Sequence, residues 1–460
     1  MYVISRLPSV RGADNGRNDV GYRFQLEKDF IEGALSKEKW WARLVFWSAA
    51  GALGLLAVLL AQVAEWANTT FLRIYNYSHY LPFVICPIGF TAIWLLQDRF
   101  FRGSEGSGIP QVIACLRTRS TTLRDQLLSI RVLIGKFICT FLGLLSGASI
   151  GREGPTVQMG ASLFNFLGHY ARFSKFERRQ GLIIAGAAAG IAAAFNAPLA
   201  GIVFAIEELK GSFEERTSGL MLSAVILSGL MAIAIMGHYS YFGVISVGLT
   251  GIQSVVCILI IGAFGGAAGG LFSRMILSLK SRLSRVPKEK LIYAPMSLGV
   301  IVATIGFFSK GQTFGTGYHQ AQQLLEQADH LAILFPFLKF FATVASYASG
   351  IAGGIFAPSL AVGAGIGSLL SPLFSDYPKE ALLLLGMVSY LSGVIRAPVT
   401  SFVIVYEMTI NHLLLFPLMA CAFIAVATSK LVCKKSLYPG LAEQFLAKQQ
   451  DGKSGNLEQT

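Results

Sequence analysis

The sequence predicts an all-α protein that crosses a membrane many times, and three observations carry that prediction. Of its 460 residues, 53% are hydrophobic and 14% charged, against roughly 25% charged in an ordinary soluble domain. The apolar residues gather in long runs: Leu44–Ala64, Ile130–Leu145, Gly219–Met236, Ile252–Phe272, Leu298–Phe308 with its flanks, and Leu413–Leu431. Between these runs lie shorter apolar stretches cut off by glycine, proline or charge.

Crossing the hydrocarbon core takes about 20 apolar residues in a helix. Backbone in lipid must satisfy its own hydrogen bonds, so spanning segments are helices or closed barrels. The runs here are continuous, which excludes the alternating pattern of barrel strands. Residues 1–36 are polar and read as an N-terminal arm; the membrane domain is expected over 37–446, and the tail over 447–460 reads as disordered. There is no signal-peptide pattern before Leu44, because the first apolar run is too long and lacks a small-residue cleavage site.

The formal net charge is +13. In a soluble chain this would suggest nucleic acid. Here the basic residues cluster in Lys37–Arg43, Arg117–Arg124, Arg172–Arg179, Arg274–Lys290 and Lys430–Lys435, between apolar runs. Cytoplasmic loops of membrane proteins carry such an excess, so no nucleic-acid partner is implied. Segments poor in Lys and Arg, Ala64–Tyr80 and Gly237–Val247, lie between them. This alternation places both chain ends in the cytoplasm. The six cysteines form no CxxC pair and lie mostly in apolar runs, where a free thiol behaves as a small hydrophobe. No metal-ligand spacing and no Walker motif are visible, so neither a cofactor nor a metal is expected.

The shorter stretches are Glu153–Phe166, Leu182–Phe195, Leu199–Ile206, Ala357–Leu370 and Leu382–Val394. At about 1.5 Å per residue, each covers only half to three-quarters of a crossing. Helices that stop inside the membrane leave amide N–H groups without partners and a partial positive charge at the N-terminus. Such ends attract anions.

The chain also repeats itself. Gly186–Glu208 reads "GAAAGIAAAFNAPLAGIVFAIEE" and Gly386–Met408 reads "GMVSYLSGVIRAPVTSFVIVYEM". Without a gap, Gly186 meets Gly386, Ala197 meets Ala397, Pro198 meets Pro398, and Glu207 meets Glu407. Two related halves are expected, over roughly 40–235 and 245–440. Internal repeats commonly build transporters, with the substrate site at the repeat interface near mid-bilayer.

Three segments share one plan of glycines, a proline and an apolar helix: "GSGIP" (Gly106–Pro110), "GREGP" (Gly151–Pro155) and "GIFAP" (Gly354–Pro358). Proline suits the first helical turn, where its missing N–H is no loss. Glycine allows a sharp turn and close approach to a ligand. An intramembrane carboxylate such as Glu153 is a functional residue by default.

With "GSGIP", "GREGPTVQ", "FNAPLAGIVFAIEE", "GIFAP" and the late "SLY" of Ser436–Tyr438, the chain resembles the CLC family of chloride channels and proton-coupled chloride transporters over residues 40–445. The resemblance implies a two-fold inverted repeat of tilted, discontinuous helices, assembled as a homodimer in the lipid bilayer with one ion pathway per subunit. It further implies chloride ligands in the hydroxyls of Ser107 and Tyr438 and the backbone N–H groups of Ile355 and Phe356. It casts Glu153 as the gate that binds and releases the external proton. Glu208, the second glutamate of "AIEEL", would pass protons to the cytoplasm, whereas its neighbour Glu207 reads as structural because Glu407 repeats it. Proton-coupled chloride exchange is the expected activity; a passive, voltage- or pH-gated chloride channel of the same fold is the alternative. Arg152 is expected to supply positive potential or to cap a neighbouring helix. Gln111, Ile113 and Lys339 depart from the pattern of well-known prokaryotic exchangers. The chain ends soon after Tyr438, so no nucleotide partner is expected, and a bacterial inner membrane is the expected location.

One motif points elsewhere. "GASIG" (Gly147–Gly151) matches the G-x-S-x-G pattern of serine hydrolases, with Ser149 as nucleophile. That chemistry needs a base, and none of the six histidines sits in an obvious motif. Close packing of small residues before a broken helix explains the segment, so an intramembrane serine hydrolase is only a remote alternative.

Overall fold

The computed structural model describes residues 37–170, 173, 180–210, 215–237, 241–326 and 333–457. The N-terminal arm expected over 1–36, and most of the basic stretch Arg172–Arg179, lie outside the described residues. The first half contains helices α1 (Lys37–Tyr77), α2 (Pro82–Phe100), α3 (Ile109–Arg117), α4 (Thr121–Leu127), α5 (Ile130–Leu145), α6 (Glu153–Leu167), α7 (Leu182–Phe195), α8 (Pro198–Phe204) and α9 (Glu215–Met236). The second half contains α10 (Gln253–Leu283), α11 (Lys288–Leu291), α12 (Tyr293–Phe308), α13 (Tyr318–Leu325), α14 (Phe335–Ala348), α15 (Phe356–Leu370), α16 (Lys379–Ile395), α17 (Pro398–Thr409), α18 (Leu415–Val432) and α19 (Leu437–Leu457). The described chain pairs as strand only at two isolated bridges, Gly106 with Ala352 and Gly151 with Gly354.

Long helices form the outside. Among the described residues, eight helical segments are long and apolar enough to cross a membrane; one of them, Phe356–Phe374, contains the largely buried α15, and the other seven include the outer helices. They expose large apolar side chains such as Leu55 and Leu59 of α1, Ile226 and Leu230 of α9, Leu259 and Phe264 of α10, and Phe416 and Phe423 of α18. In water this would be unfavourable; against lipid it is the natural outer surface. The short helices form the inside. Every residue of α7 is buried, as are Ala381–Ile395 of α16 and Phe356–Gly367 of α15. At about 1.5 Å per residue, the 14 residues of α7 reach only about 21 Å, short of the ~30 Å hydrocarbon core, and protein surrounds them on all sides.

Glycine lets these half-helices touch. A Cβ on Gly160 of α6 would stand 2.1 Å from the carbonyl of Gly186 on α7; one on Gly363 of α15 would stand 2.5 Å from that of Gly386 on α16. Gly186 and Gly386 are repeat partners, so the same device closes the same helix pair in each half. Small residues of this kind drive helix association where the hydrophobic effect cannot.

A second correspondence links the halves. The Glu207 carboxylate accepts from the N–H groups of Val399 (3.1 Å) and Thr400 (2.7 Å) at the start of α17. The Glu407 carboxylate accepts from Leu199 (3.1 Å) and Ala200 (2.7 Å) at the start of α8. Each half therefore caps a helix of the other with a negative charge, where open N–H groups and the helix dipole favour one. The residues before the two Ala-Pro starts, Asn196 (φ 52°) and Arg396 (φ 59°), are both left-handed.

Three expectations need correction. Helix α1 does not end at Ala64; no glycine or proline interrupts 65–77, and it continues to Tyr77. Helix α2 was not anticipated as a span, because Pro87, Gln97, Asp98 and Arg99 dilute its apolar run. The tail does not lose regular structure at Ala447: α19 runs helical to Leu457, and its 442–450 stretch is rich in Ala, Glu, Gln, Leu and Lys, all good helix formers.

Candidate functional site

The three glycine motifs come together. Gly151 and Gly354 exchange a pair of N–H···O bonds of 2.7 Å. The Gly106 N–H donates to the Ile351 carbonyl (3.2 Å), and the Gly353 N–H donates to the Gly106 carbonyl (2.9 Å). Helices α3, α6 and α15 therefore begin from one stitched junction. The turn into α3 needs glycine: Gly106 and Gly108 take φ of 61° and 100°, and a Cβ on Gly108 would stand 2.6 Å from the Gln158 side chain.

The sequence-derived residues stand at this junction. Ser107 is buried against the first turn of α6, where a Cβ on Gly154 would lie 2.2 Å from its Oγ. Ile355 and Phe356, both fully buried, are the N-cap and first residue of α15. Their amides lie where the helix offers no carbonyl four residues back. Tyr438, in the first turn of α19, is fully buried, and its ring stacks on that of Phe356 at 6.3 Å. The Tyr438 and Ser107 hydroxyls face one another at close range without meeting hydrogen-bond geometry.

Glu153 is fully buried at the start of α6. Its Oε1 accepts a hydrogen bond from the Tyr318 hydroxyl at 2.8 Å. Its Oε2 folds back over Gly151, where a Cβ would come within 2.3 Å of it and within 3.3 Å of Ala357 in the first turn of α15. The carboxylate thus lies at the N-terminal tips of α6 and α15, a position suited to an anion.

Arg152 turns to Tyr241: it donates to the Tyr241 hydroxyl, and its guanidinium stands 5.6 Å from that ring and 5.9 Å from that of Tyr318. Tyr241 in turn donates to the Ala194 carbonyl at the end of α7 (3.0 Å). Arg152 therefore reaches a neighbouring helix end through Tyr241.

Glu208 lies apart, in a π-helical turn (Ala205–Lys210) that follows α8. Such turns recur at functional sites. Glu207 and Arg117, at the end of α3, are the charges acting on Glu208. Although adjacent, the two glutamates have different surroundings, because Glu207 is engaged by α17.

Among the buried side-chain polar atoms that find no hydrogen-bond partner within the described protein are Ser107 Oγ, Glu153 Oε2, Tyr438 Oη and Glu208 Oε1, alongside others such as Gln97 Oε1, Thr140 Oγ1, Ser162 Oγ and Tyr390 Oη. Leaving such a group unpaired costs about 1–3 kcal/mol. The first four belong to residues selected from sequence for ion chemistry.

Ser149 lies elsewhere in function. Its Oγ shares a 2.9 Å hydrogen bond with the Thr343 hydroxyl, and its N–H donates to Ser346 Oγ at 2.9 Å. Its hydroxyl partner is a threonine on a tightly packed wall, and the hydrolase reading is dropped. Two of the departures from pattern, Gln111 and Lys339, are bound to backbone carbonyls. Gln111 donates to the Glu105 carbonyl (2.5 Å), and buried Lys339 donates to the carbonyls of Thr313 (2.9 Å) and Gly315 (2.7 Å).

Sequence reasoning missed Tyr318 and Tyr241. A signal for Tyr318 was present. "GTGYHQ" at Gly315 echoes "GSGIPQ" at Gly106, and Gly315 and Gly317 are left-handed (69° and 91°), as Gly106 and Gly108 are. Without a proline, the second copy went unnoticed.

Comparison with known proteins agrees with this geometry. The sequence profile of the family described as "Voltage gated chloride channel" matches residues 88–430. The H(+)/Cl(−) exchange transporter ClcA of Klebsiella pneumoniae (strain 342) is 29% identical over 394 residues, 82% of either chain. The crystal structure of a slow cyanobacterial Cl−/H+ antiporter superimposes with a TM-score of 0.76 at 25% identity, covering 88% of this chain and 99% of that one. A CLC-type fluoride/proton antiporter shares the fold at a TM-score of 0.72 and 24% identity, over 86% of this chain and 96% of its own. Glycine-led helix starts meeting inside the protein, a buried glutamate at their tips and a profile match over most of the chain lead to one conclusion: this protein belongs to the voltage-gated chloride channel, or CLC, family.

Proposed function

We propose that the protein exchanges chloride for protons across a membrane. The observation that carries this reading is the position of Glu153: a carboxylate folded onto the tips of α6 and α15, beside the unpartnered hydroxyls of Ser107 and Tyr438. Chloride would be held by these two hydroxyls and the amides of Ile355 and Phe356. All four donors are neutral, which suits an ion that must leave again. The Glu153 carboxylate competes with the halide for the helix tips while charged. Once protonated it loses that attraction and gives way. Opposite charge favours the carboxylate, and a neighbouring anion favours the acid, so proton and chloride occupancy are linked.

Glu208 takes the proton on the other side. Its unpartnered buried oxygen supports exchange over the alternative of a passive channel, because moving a proton through the protein needs a second acid to receive it. The relatives named as exchangers or antiporters support the same choice.

The membrane domain over 37–446 works as two inverted halves, 40–235 and 245–440. The reciprocal caps of Glu207 and Glu407 support this division. The protein acts as a homodimer in a bacterial inner membrane with both termini cytoplasmic; the basic residues closing α10, Lys280 and Arg282, support that orientation. In purified protein reconstituted into vesicles, exchange shifts the chloride reversal potential with a pH gradient. A reversal potential indifferent to pH would establish a channel instead.

A further inference from the structure

Glu153 is fully buried, so whatever holds its carboxyl group governs when it moves. We propose that Tyr318 is the latch of the Glu153 gate: a positioning residue whose hydroxyl holds the charged carboxylate at the helix tips and lets it go on protonation. This rests on the reading of Glu153 as the gate.

The hydroxyl is held in place to do this. Tyr318 opens α13, directly after left-handed Gly317. The segment before it is pinned on several sides. Lys339 binds the carbonyls of Thr313 and Gly315. A Cβ on Gly315 would stand 1.8 Å from Asn68 Oδ1, and one on Gly317 would stand 2.6 Å from Ala361 Cβ. The phenol ring lies nearly parallel to that of Tyr241 at 5.1 Å, with Phe242 at 6.1 Å. The Arg152 guanidinium lies 5.9 Å from its centre. A ring so confined has little freedom to turn its hydroxyl away from Glu153.

The chemistry makes the hold conditional. A phenol donating to a carboxylate forms a charge-assisted hydrogen bond, roughly twice as strong as one to a neutral carboxylic acid. The latch is therefore tight for the charged gate and weak for the protonated one. Beyond Tyr318 lies a cavity of about 160 Å³ lined by Glu65, Arg152, Tyr241, Thr316, Tyr318 and His319. It offers room for water and for a released side chain. The other titratable or charged groups facing this region are Arg152, Tyr241, Tyr438 and the Glu65–His319 pair, whose contact is 2.8 Å; Glu208 acts on Tyr438. None of them is altered when only the Tyr318 hydroxyl is removed.

Tyr318→Phe keeps the ring and deletes the donor. The full chain is reconstituted in liposomes, and chloride flux is measured against pH on the Glu153 side for wild type, Tyr318→Phe, Glu153→Gln and the double variant. Losing a donor to the charged form moves the midpoint of the pH profile upward by about one to two pH units. In the Glu153→Gln background, deleting the hydroxyl has no further effect, because no charged partner remains. An unshifted profile in a folded Tyr318→Phe protein overturns the latch while leaving the gate intact. Equal effects of Tyr318→Phe with and without Glu153 also overturn it, since that is the mark of a merely structural role. Should Glu153→Gln retain proton coupling, the gate reading fails, and the latch fails with it.

Discussion

Glu207 and Glu208 are adjacent in sequence, yet their replacement should have opposite consequences. The Glu207 carboxylate accepts the Val399 N–H at 3.1 Å, the Thr400 N–H at 2.7 Å and the Thr400 hydroxyl at 2.8 Å. In Glu207→Ala all three donors lose their partner at a helix start inside the protein. At about 1–3 kcal/mol for each unpaired buried group, offset by relaxation and water entry, the net loss is about 4 kcal/mol. In a protein of this size that lowers the unfolding temperature on the order of 5 °C. Glu208 Oε1 has no protein partner, so Glu208→Gln, which keeps the side chain's size, removes no cap and should leave the unfolding temperature within about 1 °C. Thermal unfolding in detergent and proton flux in vesicles, measured on the same preparations, separate the two. Glu207→Ala should be less stable but still coupled in whatever fraction stays folded; Glu208→Gln should be stable, with chloride flowing and proton movement stopped. A Glu207→Ala protein as stable as wild type would refute the capping argument. A Glu208→Gln protein that still pumps protons would refute the relay.

Three further outcomes follow from the same geometry. Glu153→Gln should abolish proton coupling and leave reduced or altered chloride passage; chloride-driven proton uptake by this variant in liposomes would contradict the gate. Ser107→Pro should raise preference for nitrate, because it removes the unpartnered hydroxyl proposed as a chloride donor without touching the amides of α15; anion competition for flux measures it. Gly160→Val should destabilise by about 1–3 kcal/mol or more through overpacking, because even a Cβ would stand 2.1 Å from the Gly186 carbonyl; an unfolding temperature equal to wild type would show that α6 and α7 are not in contact there.

Much of this architecture can be read from the chain because lipid leaves few options. Apolar runs must be helices, and a run too short to span must end inside protein. The ends of α6, α7 and α15 accordingly fall within a residue or two of the Gly, Pro and Asn that bound them. The repeat was legible because capping is reciprocal, which ties Glu207 to Glu407 in the sequence as in space. Other features lacked a local signal. Helix α2 carries Pro87 and a charged end, and its place depends on packing against α12. The continuation of α1 past Ala64 brings Glu65 to His319, a pairing across 254 positions that no spacing announces. The hydrogen bond to Glu65 raises the pKa of His319 above the ordinary imidazole value. Tyr318 was hidden for a different reason: its glycine turn repeats that of Ser107, but the proline that drew attention to the first copy is missing from the second.

The central claim is that one movable carboxylate and chloride compete for the same helix tips. Parallel recording of chloride and proton fluxes from purified protein in vesicles tests it most directly. An imposed chloride gradient should drive protons the opposite way in the wild-type protein and drive none in Glu153→Gln. Chloride that moves with no accompanying proton flux in the wild type, at any imposed gradient, would contradict the account.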